Sequence, residues 1–339
     1  MDCSYCTNGH DNSTQHPPLQ KCLDAIDFMF EYADLYMLTK PAGIRYVILN
    51  VYGGESLYHP DIVAILEQVH ERYKQYQDRW HLTVTTTTNA VVSPRQLQQI
   101  IPLIDEFTVS YHTEATPKQK QQFRDNLLTI RDSGRRQKCI VLMHQDSELF
   151  ADANAMIDWL NKNNIKMLSR QLDDGDRIYN QTQVQWFDKF YKTKTFGQTT
   201  SLLQDKVESH LTEVGRACCG GRQMCGDQNY KQRNFYVENK FPDWYCSVNH
   251  FFLYVKQVTG EIFVNKDCQM AFDGQVGPIG HLYQADDLLE QTKTQLNTNI
   301  MPVIQCKKNQ CLCGLCAPKA QDLNTYKSIM RKYQKEIIL

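Results

Sequence analysis

The chain has 339 residues and a mass of 39.5 kDa, with 37 Lys and Arg against 38 Asp and Glu for a net charge of −1. That balance argues against a strongly basic nucleic-acid binder or an acidic tail, while leaving room for a local basic patch. With 42% hydrophobic residues the chain can build a sizeable core, and its length suits about two domains or one barrel with an appendage. The longest apolar runs, such as residues 46–49 and 251–255, are strand-sized, well short of the roughly 20 residues of a membrane span. No signal peptide opens the sequence, so a soluble, cytoplasmic protein with no membrane partner is expected.

The first half alternates strand and helix. An apolar pattern containing Cys22 marks a first helix. Residues 45–52 form a β-rich run that leads into Gly53-Gly54 and then a helix with Ile62, Ile65, Leu66 and Val69 on one face. Residues 81–88 read as a strand. Ser93 then caps a helix with Pro94 at its first position and Gln96 completing a capping box, and Leu97, Ile100, Ile101 and Ile104 form its stripe. A strand at 107–112 is followed by the same helix-start grammar in Thr116-Pro117-Lys118-Gln119, with Phe123, Leu127 and Ile130 facing inward. A strand at 138–144, a helix burying Leu149, Ala153, Met156, Ile157 and Leu160, and a strand at 166–172 complete the series. This alternation predicts an α/β fold with a parallel sheet, open or barrelled. Such sheets place their chemistry at the C-terminal ends of strands. The unusual residues fall there: Gly53-Gly54-Glu55, Thr88-Asn89, Ser110 to His112, and Arg170.

Residues 174–245 are polar and irregular, with an aromatic helix candidate at 186–191. A hairpin follows, with strands at 251–255 and 262–265 around Thr259-Gly260, and Cys246 and Cys268 bracket it. A closing helix stacks Leu323, Tyr326, Met330, Tyr333 and Ile337. There are 13 cysteines. Cys3 and Cys6 open the chain, Cys22 and Cys139 stand alone as expected core residues, and the rest fall between Cys218 and Cys316. In a reducing compartment such clusters point to metal or redox chemistry before disulfides.

Cys3-Ser4-Tyr5-Cys6 resembles the second half of the C-x3-C-x-aromatic-C loop of the radical S-adenosylmethionine (radical SAM) superfamily, with Tyr5 at the aromatic position. Gly53-Gly54-Glu55 resembles that family's glycine-glycine-glutamate motif at the end of the second barrel strand. The resemblance covers about residues 1–172 and implies a partial (β/α)6 TIM-type barrel. Five strands are counted where the family has six, and the family's first loop cysteine would lie four residues before Cys3. The expectation is therefore an upstream segment carrying the first strand and that ligand.

The resemblance implies a [4Fe–4S] cluster on Cys3 and Cys6 that binds S-adenosylmethionine and cleaves it reductively to a 5′-deoxyadenosyl radical, which abstracts hydrogen from a substrate. Cys3 and Cys6 would be the catalytic ligands. Gly53-Gly54 would allow close backbone approach to the methionine moiety, and that backbone or Glu55 would accept from the amino group. Arg170 would pair with the carboxylate. Thr88 and Asn89 would contact the cofactor, and Ser110 and His112 would serve the ribose. An external donor such as flavodoxin or ferredoxin would supply electrons. The structural alternatives are a zinc half-site or redox pair at Cys3 and Cys6, a helix-start role for Glu55, and an ion pair for Arg170.

The second half resembles the SPASM and twitch auxiliary-cluster domains of radical enzymes, giving three regions: a partial barrel at 1–173, a bridging region at 174–245, and a cysteine-rich α+β domain at 246–339. Cys246, Cys268, Cys313 and Cys316 are expected to form one auxiliary iron–sulfur site, with Cys218, Cys219, Cys225, Cys306 and Cys311 available for a second; zinc is the alternative. The tail spacing, C-x4-C-x-C-x2-C, departs from the usual SPASM pattern. The expected substrate is a peptide or protein side chain. The alternatives are a nucleobase in DNA or RNA or a small metabolite, with Tyr230, Lys231, Arg233, Phe235, Tyr236 and Trp244 as candidate stacking and charge contacts, or a non-catalytic zinc-binding interaction module.

Overall fold

The computed structural model describes residues 16–38, 45–172, 179–193, 242–246, 248–250, 252–264, 277–298, 303–307 and 319–328. The chain divides into two compact units, one of residues 1–16, 47–75 and 81–199, the other of residues 17–46, 76–80 and 200–339. Numbered along the chain, helix α1 (Leu19–Leu38) belongs to the second unit.

The first unit is built on strands β1 (Tyr46–Val51), β2 (His81–Thr88), β3 (Glu106–Tyr111), β4 (Arg136–Met143) and β5 (Met167–Gln171). Its helices are α2 (Ile62–Tyr73), α3 (Pro94–Ile100), α4 (Pro117–Asp132), α5 (Ser147–Lys162) and α6 (Gln181–Thr193). The strands form one parallel sheet in the order β1-β2-β3-β4-β5. Parallel crossovers share one hand, so a sequential order puts the connecting helices on one side of the sheet. The burial pattern agrees. In β3 Phe107, Val109 and Tyr111 are buried and alternate with half-buried Glu106, Thr108 and Ser110; in β4 Cys139, Val141 and Met143 are buried. A doubly wound sheet would reverse its strand order and bury both faces. This sheet is therefore the wall of a partial barrel, and Thr85, Thr87, Thr108 and Arg170 lie on the face the helices leave uncovered.

The helix starts follow local chemistry. Thr116 Oγ1 accepts from Gln119 N at 3.3 Å while Gln119 Oε1 accepts from Thr116 N at 2.9 Å, a complete capping box. At α3 only half of the expected box forms. Ser93 Oγ accepts from Gln96 N at 3.2 Å, but Gln96 Nε2 donates to Leu57 O at 2.8 Å instead of returning to the cap. A tertiary partner outcompetes the local one. Cys139 is fully buried, as expected. Helix α6 is longer than the 186–191 expectation, and it packs Phe187 edge-on against Phe150 and Tyr179.

The second unit joins α1 to the C-terminal elements. Strands β7 (Tyr254–Lys256) and β8 (Glu261–Phe263) form the expected hairpin, shorter than the apolar runs suggested. A third strand of this sheet, β9 (Gly280–His281), and helix α7 (Ala285–Thr298) come without a sequence expectation. Ala25, Phe28 and Tyr32 of α1 share a core with Val255, Ile262 and Leu288. Cys22 is fully buried, as expected, with its Sγ 3.9 Å from Gln257 Oε1. Gly260 has φ +85, backbone that favours glycine, and a Cβ on it would stand 2.5 Å from His281 Cε1, so any other residue would have to displace the His281 ring. A second sheet sets β6 (Tyr245–Cys246) between β10 (Ile304–Gln305) and β11 (Lys319–Ala320). A further helical turn starts at Leu323; Met330, Tyr333 and Ile337 lie outside the described residues. No helix among the described residues is long and apolar enough to cross a membrane.

Candidate cofactor site at the strand ends

The chain leaves β1 through Gly53 and Gly54, whose φ values of +128 and +48 belong to backbone that glycine adopts freely. Among the described residues nothing stands within 4 Å of where a Cβ would be on either glycine, so the turn has an open side. Glu55 closes it from behind. Its Oε1 accepts from Thr88 Oγ1 at 2.6 Å and from Leu57 N at 3.3 Å, and its Oε2 accepts from Asn89 N at 2.6 Å. Glu55 thereby also caps the short 3₁₀ helix Ser56–Tyr58, so the helix-start role and a site role coexist. Desolvation raises its pKa, and the bonds from Thr88, Asn89 and Leu57 pull against that rise. The carboxylate thus works as a lock between the ends of β1 and β2.

The end of β2 is equally constrained. Thr88 Oγ1 donates to Glu55 and accepts from Ala90 N at 2.9 Å. Asn89 Oδ1 accepts from Val91 N at 2.9 Å, so its side chain closes its own turn. Tyr58 OH donates to Val91 O at 2.8 Å. These bonds join the loops after β1 and β2 into one rigid ledge beside the open glycine turn.

Ser110 and His112 lie at the end of β3, half-buried, and Arg170 lies exposed on β5. Strand register aligns Ser110 with Ile140 and Leu142 with Arg170. Burial pushes the His112 pKa down to about 4, with Glu114 acting in the opposite sense, so the ring is neutral at physiological pH. Sequence reasoning passed over two neighbours. His144, just past β4, is buried; its Nδ1 accepts from Asp146 N at 3.0 Å, which puts a neutral ring's proton on Nε2, 3.6 Å from Glu114 Oε1. The strand-end rule already applied to Ser110 and His112 also covers His144. Asn126 was missed as well, although it sits at a helix-stripe position among Phe123, Leu127 and Ile130, where a polar residue is the signal.

Cys3, Tyr5, Cys6, Cys218, Cys219, Cys225, Cys268, Cys311, Cys313 and Cys316 lie outside the described residues. Cys246 and Cys306 are both described and both buried. Cys246 pairs with Ile304 across β6 and β10, and Cys306 N donates to Trp244 O at 2.8 Å, so the two cysteines are diagonal neighbours on one face of that sheet. Val248, Val264 and Ile304 pack around Cys246. Among the described residues no three metal-ligating side chains converge.

No protein-family model and no curated protein sequence matches the chain. Solved structures do. Native anSMEcpe with bound AdoMet and Kp18Cys peptide superposes with a TM-score of 0.54 at 9% identity, over 100% of this chain and 94% of that one. A hexahistidine-tagged anSMEcpe with bound AdoMet gives a TM-score of 0.51 at 10% identity, over 100% of this chain and 91% of that one. This chain shares the fold of these structures. At such identity the likeness is one of fold. The expected partial barrel with a further C-terminal region of sheets is what the comparison finds.

Proposed function

We propose that this chain is a radical SAM enzyme that binds S-adenosylmethionine at the Gly53-Gly54-Glu55 ledge and acts on a peptide or protein side chain. One observation carries the reading: a glycine turn with an open side, locked by a buried carboxylate, at the C-terminal end of a singly wound parallel sheet. The residues suit the amino-acid end of that cofactor. The open side of the turn would admit the methionyl group to the backbone, whose carbonyls would accept from the ammonium. Glu55, with three donors already on its carboxylate, would hold the turn's shape rather than serve as the main ammonium acceptor. Arg170, exposed on the uncovered face, would pair with the carboxylate, while Ser110 and neutral His112 would reach the ribose.

Cys3 and Cys6 would hold the [4Fe–4S] cluster, which supplies the electron for cofactor cleavage and so the hydrogen-abstracting species. Cys246 and Cys306, neighbours on one sheet face, would share an auxiliary iron–sulfur site with cysteines of the tail, a grouping preferred here over one that assigns Cys306 to a second site. The peptide in the anSMEcpe complex supports a peptide substrate. Flavodoxin or ferredoxin would be the electron donor.

Anaerobically reconstituted protein, reduced with dithionite, is expected to contain iron and sulfide and to convert S-adenosylmethionine into 5′-deoxyadenosine. Cys6→Ala should abolish the conversion. Zinc without iron after reconstitution would overturn the enzyme reading in favour of a zinc module.

A further inference from the structure

Asn126 lies on the inner side of α4 and is 1% exposed. A buried amide persists only with its hydrogen bonds made. Its Nδ2 donates to Ala90 O at 2.8 Å and to Val92 O at 2.7 Å, reaching the turn that follows β2. Gln122, one helical turn earlier, donates from Nε2 to the same Val92 O at 2.7 Å. Both bonds land on backbone that needs holding. Ala90 has φ +52, a left-handed conformation in which a Cβ crowds the following carbonyl, and it is fully buried.

The position of that strained residue gives Asn126 its reach. Asn89 N, which donates to Glu55 Oε2, belongs to the residue just before Ala90. Thr88 Oγ1, which donates to Glu55 Oε1, accepts from Ala90 N. If Ala90 relaxes toward ordinary backbone, the Asn89–Ala90 peptide turns, so Thr88 loses the Ala90 N–H that orients its hydroxyl and the Asn89 N–H, one peptide earlier, is drawn out of line with Glu55. Glu55 then loses both short bonds that lock the glycine turn.

We propose that Asn126 is a positioning residue for the Gly53-Gly54-Glu55 turn, and that by holding Ala90 left-handed it sets the affinity of the turn for the amino-acid end of S-adenosylmethionine without touching it. The inference rests on the reading of this turn as the cofactor site. No other side chain in the first unit bonds both ends of the Ala90–Val92 segment among the described hydrogen bonds, so the effect should be concentrated at this residue.

The test compares wild type, Asn126→Ala, Ala90→Gly and the double variant as full-length, anaerobically reconstituted chains. One readout is amide hydrogen exchange over residues 86–92 without S-adenosylmethionine. The other is the dissociation constant for S-adenosylmethionine by equilibrium dialysis. Asn126→Ala should speed exchange at Asn89 by about tenfold or more and weaken binding by about tenfold, about the loss of one net hydrogen bond, with iron per chain unchanged. Ala90→Gly alone should stay near wild type. The double variant should recover most of both losses, because glycine takes φ near +52 without being held. A variant that melts earlier but keeps wild-type exchange and affinity would overturn the inference, as would a double variant no better than Asn126→Ala. Should Asn126→Ala fail to fold, Gln122→Ala removes one donor from Val92 O; a smaller shift in the same direction, reversed by Ala90→Gly, supports the inference, and no shift overturns it. A wild-type chain that binds no S-adenosylmethionine defeats the cofactor reading itself. Wild-type binding with an insensitive Asn126→Ala defeats only the role given to Asn126.

Discussion

Thr88→Val isolates the lock at the heart of the ledge. Valine keeps the shape of threonine, so little cavity forms, and the change removes only the hydroxyl that donates to Glu55 Oε1 at 2.6 Å and accepts from Ala90 N at 2.9 Å. The lost bond to a charged acceptor is worth about 1.5–3 kcal/mol, and an orphaned buried N–H adds about 1–3 kcal/mol. Because neighbouring terms overlap, a total near 3 kcal/mol is expected. Glu55→Gln should cost about 2 kcal/mol, since the amide can offer only one oxygen to three donors. The double variant should be less destabilised than the sum, with a coupling of about 1.5 kcal/mol or more, because each change removes the same bond. Urea denaturation of the four chains, followed by far-UV circular dichroism, measures the cycle, and equilibrium dialysis reports S-adenosylmethionine affinity alongside it. A Thr88→Val chain within about 0.5 kcal/mol of wild type, or a coupling near zero, would refute the lock.

His112 has a folded pKa of about 4, against 6.5 for the free side chain. The unfolded chain therefore binds its proton first as pH falls, so stability is full above pH 6.5 and declines by up to about 3 kcal/mol toward pH 4. His112→Gln should flatten melting temperature over that window, and an unchanged slope would remove His112 as its source. Gly54→Ala, at φ +48, should cost about 1–2 kcal/mol, and Gly53→Ala more, since φ +128 lies beyond the left-handed well; both should weaken S-adenosylmethionine binding by filling the open side of the turn, checked by dialysis and thermal melts. Gly260→Ala should destabilise the second unit by at least about 2 kcal/mol through the His281 ring, and His281→Ala should restore part of that in a thermal melt. Cys246→Ser and Cys306→Ser should each lower iron and sulfide content by a similar amount and leave the double variant no lower than either; independent losses would separate the two cysteines.

The strand–helix alternation was legible because period-2 and period-3.6 patterns and cap residues act locally: Thr116 with Gln119, and the stripe of Phe123, Leu127 and Ile130, need no distant partner. The glycine turn was legible for the same reason, since φ values of +128 and +48 are properties of single residues. The strand–helix pattern left the choice between an open and a barrelled sheet undecided, and only the resemblance carried by Cys3-Ser4-Tyr5-Cys6 and Gly53-Gly54-Glu55 pointed to the barrel. That choice depends on strand order, which no local pattern encodes, and β1-β2-β3-β4-β5 decided it. The short strands β6, β9, β10 and β11 span two residues each, too few to show a period, and exist through partners far along the chain. The same limit applied at Gln96, whose side chain left its own cap for Leu57 O. It applied to Cys306, which reads as one cysteine among several until β10 sets it beside Cys246. The sequence by itself determined which residues could do chemistry and at which strand ends they would stand, because backbone propensity and side-chain type are carried residue by residue. Only the tertiary structure decided that Glu55 spends its carboxylate on Thr88 and Asn89, and that Asn126 holds Ala90, because a hydrogen bond between residues more than thirty apart exists only once the chain has closed around it.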